Sequence, residues 1–143
     1  MIDITRTFQV AVDPQSAVDF LKDFSNAEHW DPGTQSCRRI GNGPIGVGAR
    51  WHNKSKLIFI PTELEYVLVE LTDTKVVLRG ENDSAVSVDN ITVQPSPSGS
   101  TITYRAQVTF KGLAKIGELP MKLIFQKLAR DTVSQMTRTL QAL

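Results

Sequence analysis

From Thr34 to Phe110 apolar and polar residues alternate in one short segment after another, and each segment closes on glycine, proline, asparagine or aspartate. A single stretch then follows, Pro120 to Ala142, whose apolar residues recur every three or four positions. Few folds accommodate both halves. Alternation with a period of two marks half-buried strands, and the spacing places them near 35–40, 47–54, 62–71, 75–81, 84–94 and 100–110. The breaks are "GNGPIG", Pro61, "TDT", "ENDS" and "PSPSGS". In the last strand Ile102, Tyr104, Ala106, Val108 and Phe110 share one face. Links this short favour antiparallel neighbours. The closing stretch reads as a helix of roughly 35 Å. Met121, Ile124, Phe125, Leu128, Ala129, Val133, Met136, Leu140 and Leu143 form its apolar stripe, opposite Lys122, Lys127, Arg130 and Gln141. An amphipathic helix of that length needs a sheet to lie on.

Before the strands, residues 2–12 alternate, with Ile2, Ile4, Phe8, Val10 and Val12 on one face and Arg6 interrupting it. Asp13 then stands as an N-cap with Pro14 at the first helical position. Ser25 and Glu28 have capping-box spacing and open a second short helix. Pro32 and Gly33 end that helix. The expected order is β-αα-β6-α: an α+β domain in which a curved antiparallel sheet of about seven strands wraps the C-terminal helix and leaves a cavity between them. The 143 residues form one domain, 1–143, without linker or repeat.

Charge narrows the partners. Sixteen basic and 15 acidic residues give a net charge of +1. They are dispersed, which leaves no electrostatic footprint for nucleic acid. Cys37 has no second cysteine to pair with. The N-terminus shows no secretory h-region, and no apolar run approaches the ~18 residues of a membrane span. The expectation is a cytoplasmic protein without integral membrane contact. Monomer and dimer both stay open.

The opening strand with its "DP" and short helix, then "DFSNAEHWDPG", "GNGPIGVGARW", "TELEYVLVELTDTKVVLRGEN", "VDNITVQPSPSGSTITYRAQVTFKGL" and the long final helix, together resemble the START-like helix-grip superfamily, also called SRPBCC. Within it the chain looks like the small bacterial polyketide cyclase/dehydrase-like proteins. The likeness spans essentially the whole chain as a pattern of many weak signals. It implies the helix-grip fold. It implies function only broadly, because the superfamily includes lipid and sterol carriers, polyketide cyclases, plant ligand-binding proteins and quinone-binding chaperones.

Candidate site residues come next. In "HWDPG", His29 and Asp31 suggest an acid/base pair, but nearby positions on a short helix point in different directions and do not form a facing dyad. The motif reads first as a turn: Trp30 plugs the sheet–helix space and Asp31 caps. His29 and Trp30 then meet ligand at the cavity entrance. "GNGPIG" matches a dinucleotide fingerprint literally, yet a strand follows it where a helix is required. Two histidines and one cysteine lack metal-ligand spacing, so no metal or other cofactor is expected. Cys37 has no histidine partner in sequence. Arg6 and Asp89 fall on apolar faces, where they reach either solvent at strand ends or a wet cavity. In 62–71 two alternations compete, and a bulge would reconcile them; whether Glu63 and Glu65 face inward stays open. "LIFIP", 57–61, reads as ordinary packing, an entrance lip or a shallow membrane contact.

Two functions lead, with a third, a protein-interaction module without ligand, favoured only if side chains fill the cavity. The first is binding of a small, mostly hydrophobic molecule, such as a lipid, polyketide or aromatic compound. Its candidate contacts are His29, Trp30, Trp51, Tyr66, Arg79, Tyr104, Ala106, Phe110, Met121, Phe125, Leu128 and Met136. The alternative is a polyketide cyclase or dehydratase, with His29, His52, Tyr66, Arg79 and Tyr104 available for proton transfer and for donors to an enolate oxygen. Nothing in the sequence brings these five together, so no catalytic residue is assigned.

Overall fold

A computed structural model describes residues 1–57 and 60–143. Seven strands form one antiparallel sheet: β1 (Ile2–Val10), β2 (Thr34–Ile40), β3 (Arg50–Leu57), β4 (Ile60–Thr72), β5 (Lys75–Glu81), β6 (Ala85–Ser96) and β7 (Gly99–Phe110). Their order is β1-β7-β6-β5-β4-β3-β2. Successive strands are neighbours from β2 to β7, as the short links require, and β1 closes onto β7 with Ile2 opposite Val108. Helices α1 (Pro14–Leu21) and α2 (Ala27–Trp30) fill the β1–β2 connection, and α3 (Glu118–Gln141) crosses the sheet at the end of the chain. This is the helix-grip α+β architecture.

Several local readings need correction. The Ser25–Glu28 capping box does not form. Asp23 takes that place, accepting from the Ser25 N–H at 3.1 Å and the Ser25 hydroxyl at 2.6 Å. Glu28 instead accepts from the Cys37 N–H at 2.8 Å, tying α2 to β2. A 3-10 turn, Gly112–Gly117, precedes α3, which starts two residues before the expected Pro120. Strand β3 starts at Arg50, not 47. The glycine-rich segment before it turns through positive φ at Gly43 (100°) and Gly48 (97°), which a strand does not tolerate. Of "LIFIP", Ile58 and Phe59 lie outside the described residues.

The competing alternations of 62–71 are each right over half the strand. Leu64, Tyr66 and Leu68 face inward. The register then shifts between Leu68 and Glu70, and Leu71 pairs with Val76 on the same inner face. One extra residue at Val69 bends the strand and helps curve the sheet. Glu63 and Glu65 face outward, beside Lys54 and Arg50.

The space between sheet and α3 is unevenly filled. Toward α1 and α2 it is packed: Phe24, Trp30, Trp51, Met136 and Leu140 are each no more than 1% exposed. Phe24 lies 6.0 Å from Trp30 and 4.5 Å from Tyr66, ring centre to ring centre. Gln135 and Thr139 of α3 donate to the His29 carbonyl at 2.9 and 3.0 Å, clamping α2 to the helix. Toward the first turns of α3 the space is open.

Candidate functional site

That open half is a cavity of about 380 Å³ between the inner faces of β4, β6 and β7 and the N-terminal half of α3. Its walls follow from the strand register. In β6 and β7, Ser87 stands opposite Val108, Asp89 opposite Ala106 and Ile91 opposite Tyr104, and paired residues share a face. Tyr104 is thus the diagonal neighbour of Asp89, within reach of a phenol. Its hydroxyl donates to Asp89 Oδ1 at 2.9 Å. Among the described residues this is the one hydrogen bond to the Asp89 carboxyl.

Gly80 of β5 lies beneath the Tyr66 ring, which forms part of the floor. It pairs with Tyr66 on one side and Ser87 on the other. A methyl group at Gly80 would stand only 2.6 Å from the Tyr66 ring, so the missing side chain is what lets that ring lie across the strand toward Ser87. From above, Met121, Phe125 and Leu128 descend at helical spacing. Asp31, Gly33, Ser55, Ile60 and Pro61 border the cavity at the β3–β4 end.

The polar groups sit in an apolar enclosure, and burial sets their charge. It pushes the Asp89 carboxyl up to about 7. The nearby Asp31 charge adds to this, and the Tyr104 hydrogen bond opposes it. Burial also raises the Tyr66 and Tyr104 hydroxyls well above the ordinary phenol value, reinforced by the Asp89 charge. Asp31 is raised by burial as well, although it accepts from the Gly33 N–H at 3.0 Å and the Thr34 hydroxyl at 2.8 Å. The Cys37 thiol is pushed up to about 12 by burial and is no nucleophile at neutral pH. Asp89 is different. Near neutral pH both its protonation states are accessible, so it can donate to or accept from a polar group brought into the cavity, or move a proton.

The twelve sequence-derived candidates separate by location. Tyr66, Tyr104, Ala106, Phe110, Met121, Phe125 and Leu128 line the cavity. Trp30, Trp51 and Met136 lie in the filled half of the interior. The Trp51 indole N–H donates to Asp23 at 3.3 Å, and the Arg39 guanidinium lies over its ring. The His29 side chain is exposed, and its backbone does the anchoring. Arg79 points away from the cavity to pair with Glu81 at 3.0 Å, because Val76, Leu78 and Gly80 take the inner positions of β5. His52 faces outward beside Glu63 at 3.7 Å. The proton-transfer parts available from sequence are thus reduced at the cavity to Tyr66 and Tyr104. Asp89, which the sequence marks only as a charge on an apolar face, joins them. Ser87 shares its alternation, and that is the signal by which sequence reasoning could have found it.

The family described as polyketide cyclase / dehydrase and lipid transport matches residues 1–142. No curated protein matches the sequence. Among solved structures, TTHA0849 from Thermus thermophilus superposes with a TM-score of 0.81 at 10% identity, covering 98% of this chain and 97% of that one. The di-domain ARO/CYC StfQ from the steffimycin biosynthetic pathway gives 0.74 at 15% identity, over 99% of this chain and 49% of StfQ. A START superfamily protein from Mycobacterium smegmatis gives 0.70 at 14% identity, over 98% and 94%. At these identities the likeness establishes the fold alone. Among the described residues, no helix is long and apolar enough to cross a membrane.

Proposed function

The chain belongs to the polyketide cyclase/dehydrase and lipid transport family, and from that premise we propose that it binds a small, mostly apolar molecule carrying an oxygen or nitrogen group, with that group at the Asp89–Tyr104 pair. One observation carries the reading. An open, largely apolar cavity contains a buried carboxyl with a single protein hydrogen bond among the described residues. A buried polar group so sparsely bonded is costly unless a ligand or water completes it. Apolar walls supply affinity and the pair supplies orientation.

Native mass spectrometry of freshly purified protein tests for a co-purified molecule. A fluorescent apolar probe tests the site itself: saturable binding is expected, displaced by long acyl or aromatic compounds. Ala106→Trp puts an indole beside Asp89 and should abolish that binding in a folded protein. Absence of saturable binding, or binding that Ala106→Trp leaves unchanged, refutes the site.

A second reading rests on Asp89 alone. A carboxyl that titrates near neutral pH beside a phenol is suited to proton transfer at an activated carbon, as a cyclase or dehydratase requires. StfQ is named as an ARO/CYC protein, which keeps this chemistry in view. Asp89→Asn separates the readings. A binder shows no turnover before or after the substitution and keeps its affinity within a few-fold, whereas an enzyme turns substrate over in the wild type and loses that turnover in the variant while binding is kept.

A further inference from the structure

The roof of the cavity has a second face. Ala114, Met121 and Phe125 look inward, while Leu113, Ile116, Leu119 and Leu123 from the same segment are 86%, 80%, 80% and 70% exposed. The spacing makes these four one stripe. A separation of three aligns Leu113 with Ile116 in the 3-10 turn, and a separation of four aligns Leu119 with Leu123 in α3. Burying none of four large aliphatic side chains is unusual for a solvated surface.

Charge around the stripe is one-sided. Lys111, Lys115, Lys122, Lys127 and Arg130 fall between 111 and 130, against a single acid, Glu118, which the N-terminal amine neutralises. Lys111 pairs with Glu81 and Lys127 with Asp131. Lys115, Lys122 and Arg130 have no ion-pair partner among the described residues. The rest of the chain compensates, so the net charge of +1 conceals this local excess.

We propose that this stripe docks on an anionic lipid bilayer, with Leu113, Ile116, Leu119 and Leu123 in the interfacial region and Lys115 and Lys122 at the headgroups. Composition favours a bilayer over a protein. Protein interfaces are enriched in aromatic residues and arginine and depleted of lysine. This stripe is aliphatic and flanked by exposed lysines, and a lysine stem can lie along apolar surface while its ammonium group reaches a phosphate. Ile60, 49% exposed, lines the same cavity as Ala114, which lies in the 3-10 turn between Leu113 and Ile116. The surface stands on exposure and charge, and does not depend on which molecule fills the cavity.

Co-sedimentation with phosphatidylcholine vesicles containing phosphatidylserine, against pure phosphatidylcholine, tests this. Binding is expected only to the anionic vesicles and should weaken as salt rises. Lys115→Gln with Lys122→Gln should lower the partition coefficient roughly thirtyfold, at the contribution usual for a lysine near an anionic surface. Ile116→Asp with Leu123→Asp, at positions too exposed to matter for folding, should remove binding altogether. Failure of the wild type to bind overturns the proposal, and so does binding that both double variants retain. A concentration-dependent dimer that Ile116→Asp with Leu123→Asp dissociates, without vesicle binding, also overturns it and assigns the stripe to a second copy of the chain.

Discussion

Replacing Asp89 with asparagine should stabilise the protein, and only above mildly acidic pH. In the folded chain the Asp89 carboxyl titrates at about 7, against 3.8 when free. The folded state therefore holds the proton more tightly than the unfolded state. Below about pH 4 both states are protonated and the group contributes no difference. As pH rises from about 4 to 7, the unfolded chain releases its proton while the folded one keeps it, and stability falls. Above about pH 7 both are ionised and the penalty is complete. A difference of about three pH units corresponds to about 4 kcal/mol. Water entering the cavity reduces this figure, so it is an upper bound. Asparagine keeps the oxygen that accepts from the Tyr104 hydroxyl and removes the ionisation. Urea denaturation of both proteins between pH 4 and 8 supplies the check. The stability difference should be small at the acid end, grow with pH, and level off above neutrality. Ion pairs such as Asp3–Arg105 and Glu81–Lys111 titrate alike in both proteins and cancel in the difference. A difference that stays constant with pH would falsify the claim that Asp89 is buried and protonated near neutral pH.

Trp30→Ala should cost ~3 kcal/mol or more in chemical denaturation, since its 1%-exposed ring packs between Phe24 and Tyr104. His29→Ala should leave probe binding within a few-fold, because the contribution of that residue to α3 is its backbone carbonyl. Gly80→Ala should destabilise by ~1–3 kcal/mol, as the new methyl group displaces the Tyr66 ring; an unchanged denaturation midpoint would contradict the floor geometry. Leu128→Asp should abolish apolar probe binding by putting a charge on the cavity roof, measured by the fluorescence titration described above.

The order of elements was readable because a period of two and a period of three to four are direct projections of strand and helix geometry. What the periods do not encode is whether an inward side chain meets another atom or empty space. Met121, Phe125, Leu128 and Met136 belong to one stripe of α3. The first three overlook the cavity, while Met136 is packed among aromatic rings brought there by α1 and α2. Trp30 and Trp51 were equally ambiguous, since a large ring lines a pocket or plugs it depending on how its neighbours close. Asp89 was legible as inward-facing but not as a cavity group, because that depends on α3 crossing above it. Arg79 was the avoidable case: the alternation through Val76, Leu78 and Gly80 already points it outward. The Ser25–Glu28 box failed because Asp23, two residues upstream, takes the same N–H, while Glu28 is drawn across to the Cys37 N–H.

The pairing of Ile2 with Val108 sets a timetable for synthesis. A nascent chain emerges N-terminus first, and each strand from β3 to β7 can pair with the strand just made. Strand β1, the first to leave the ribosome, has no partner until β7 appears, and its loop-closure cost delays folding. Only afterwards is α3 complete. For that interval the future cavity is an uncovered trough, with Asp89 and Tyr104 facing water. A hydrophobic molecule bound as proposed would therefore meet the site before its roof exists, and its loading at birth need not follow the same route as exchange in the finished protein.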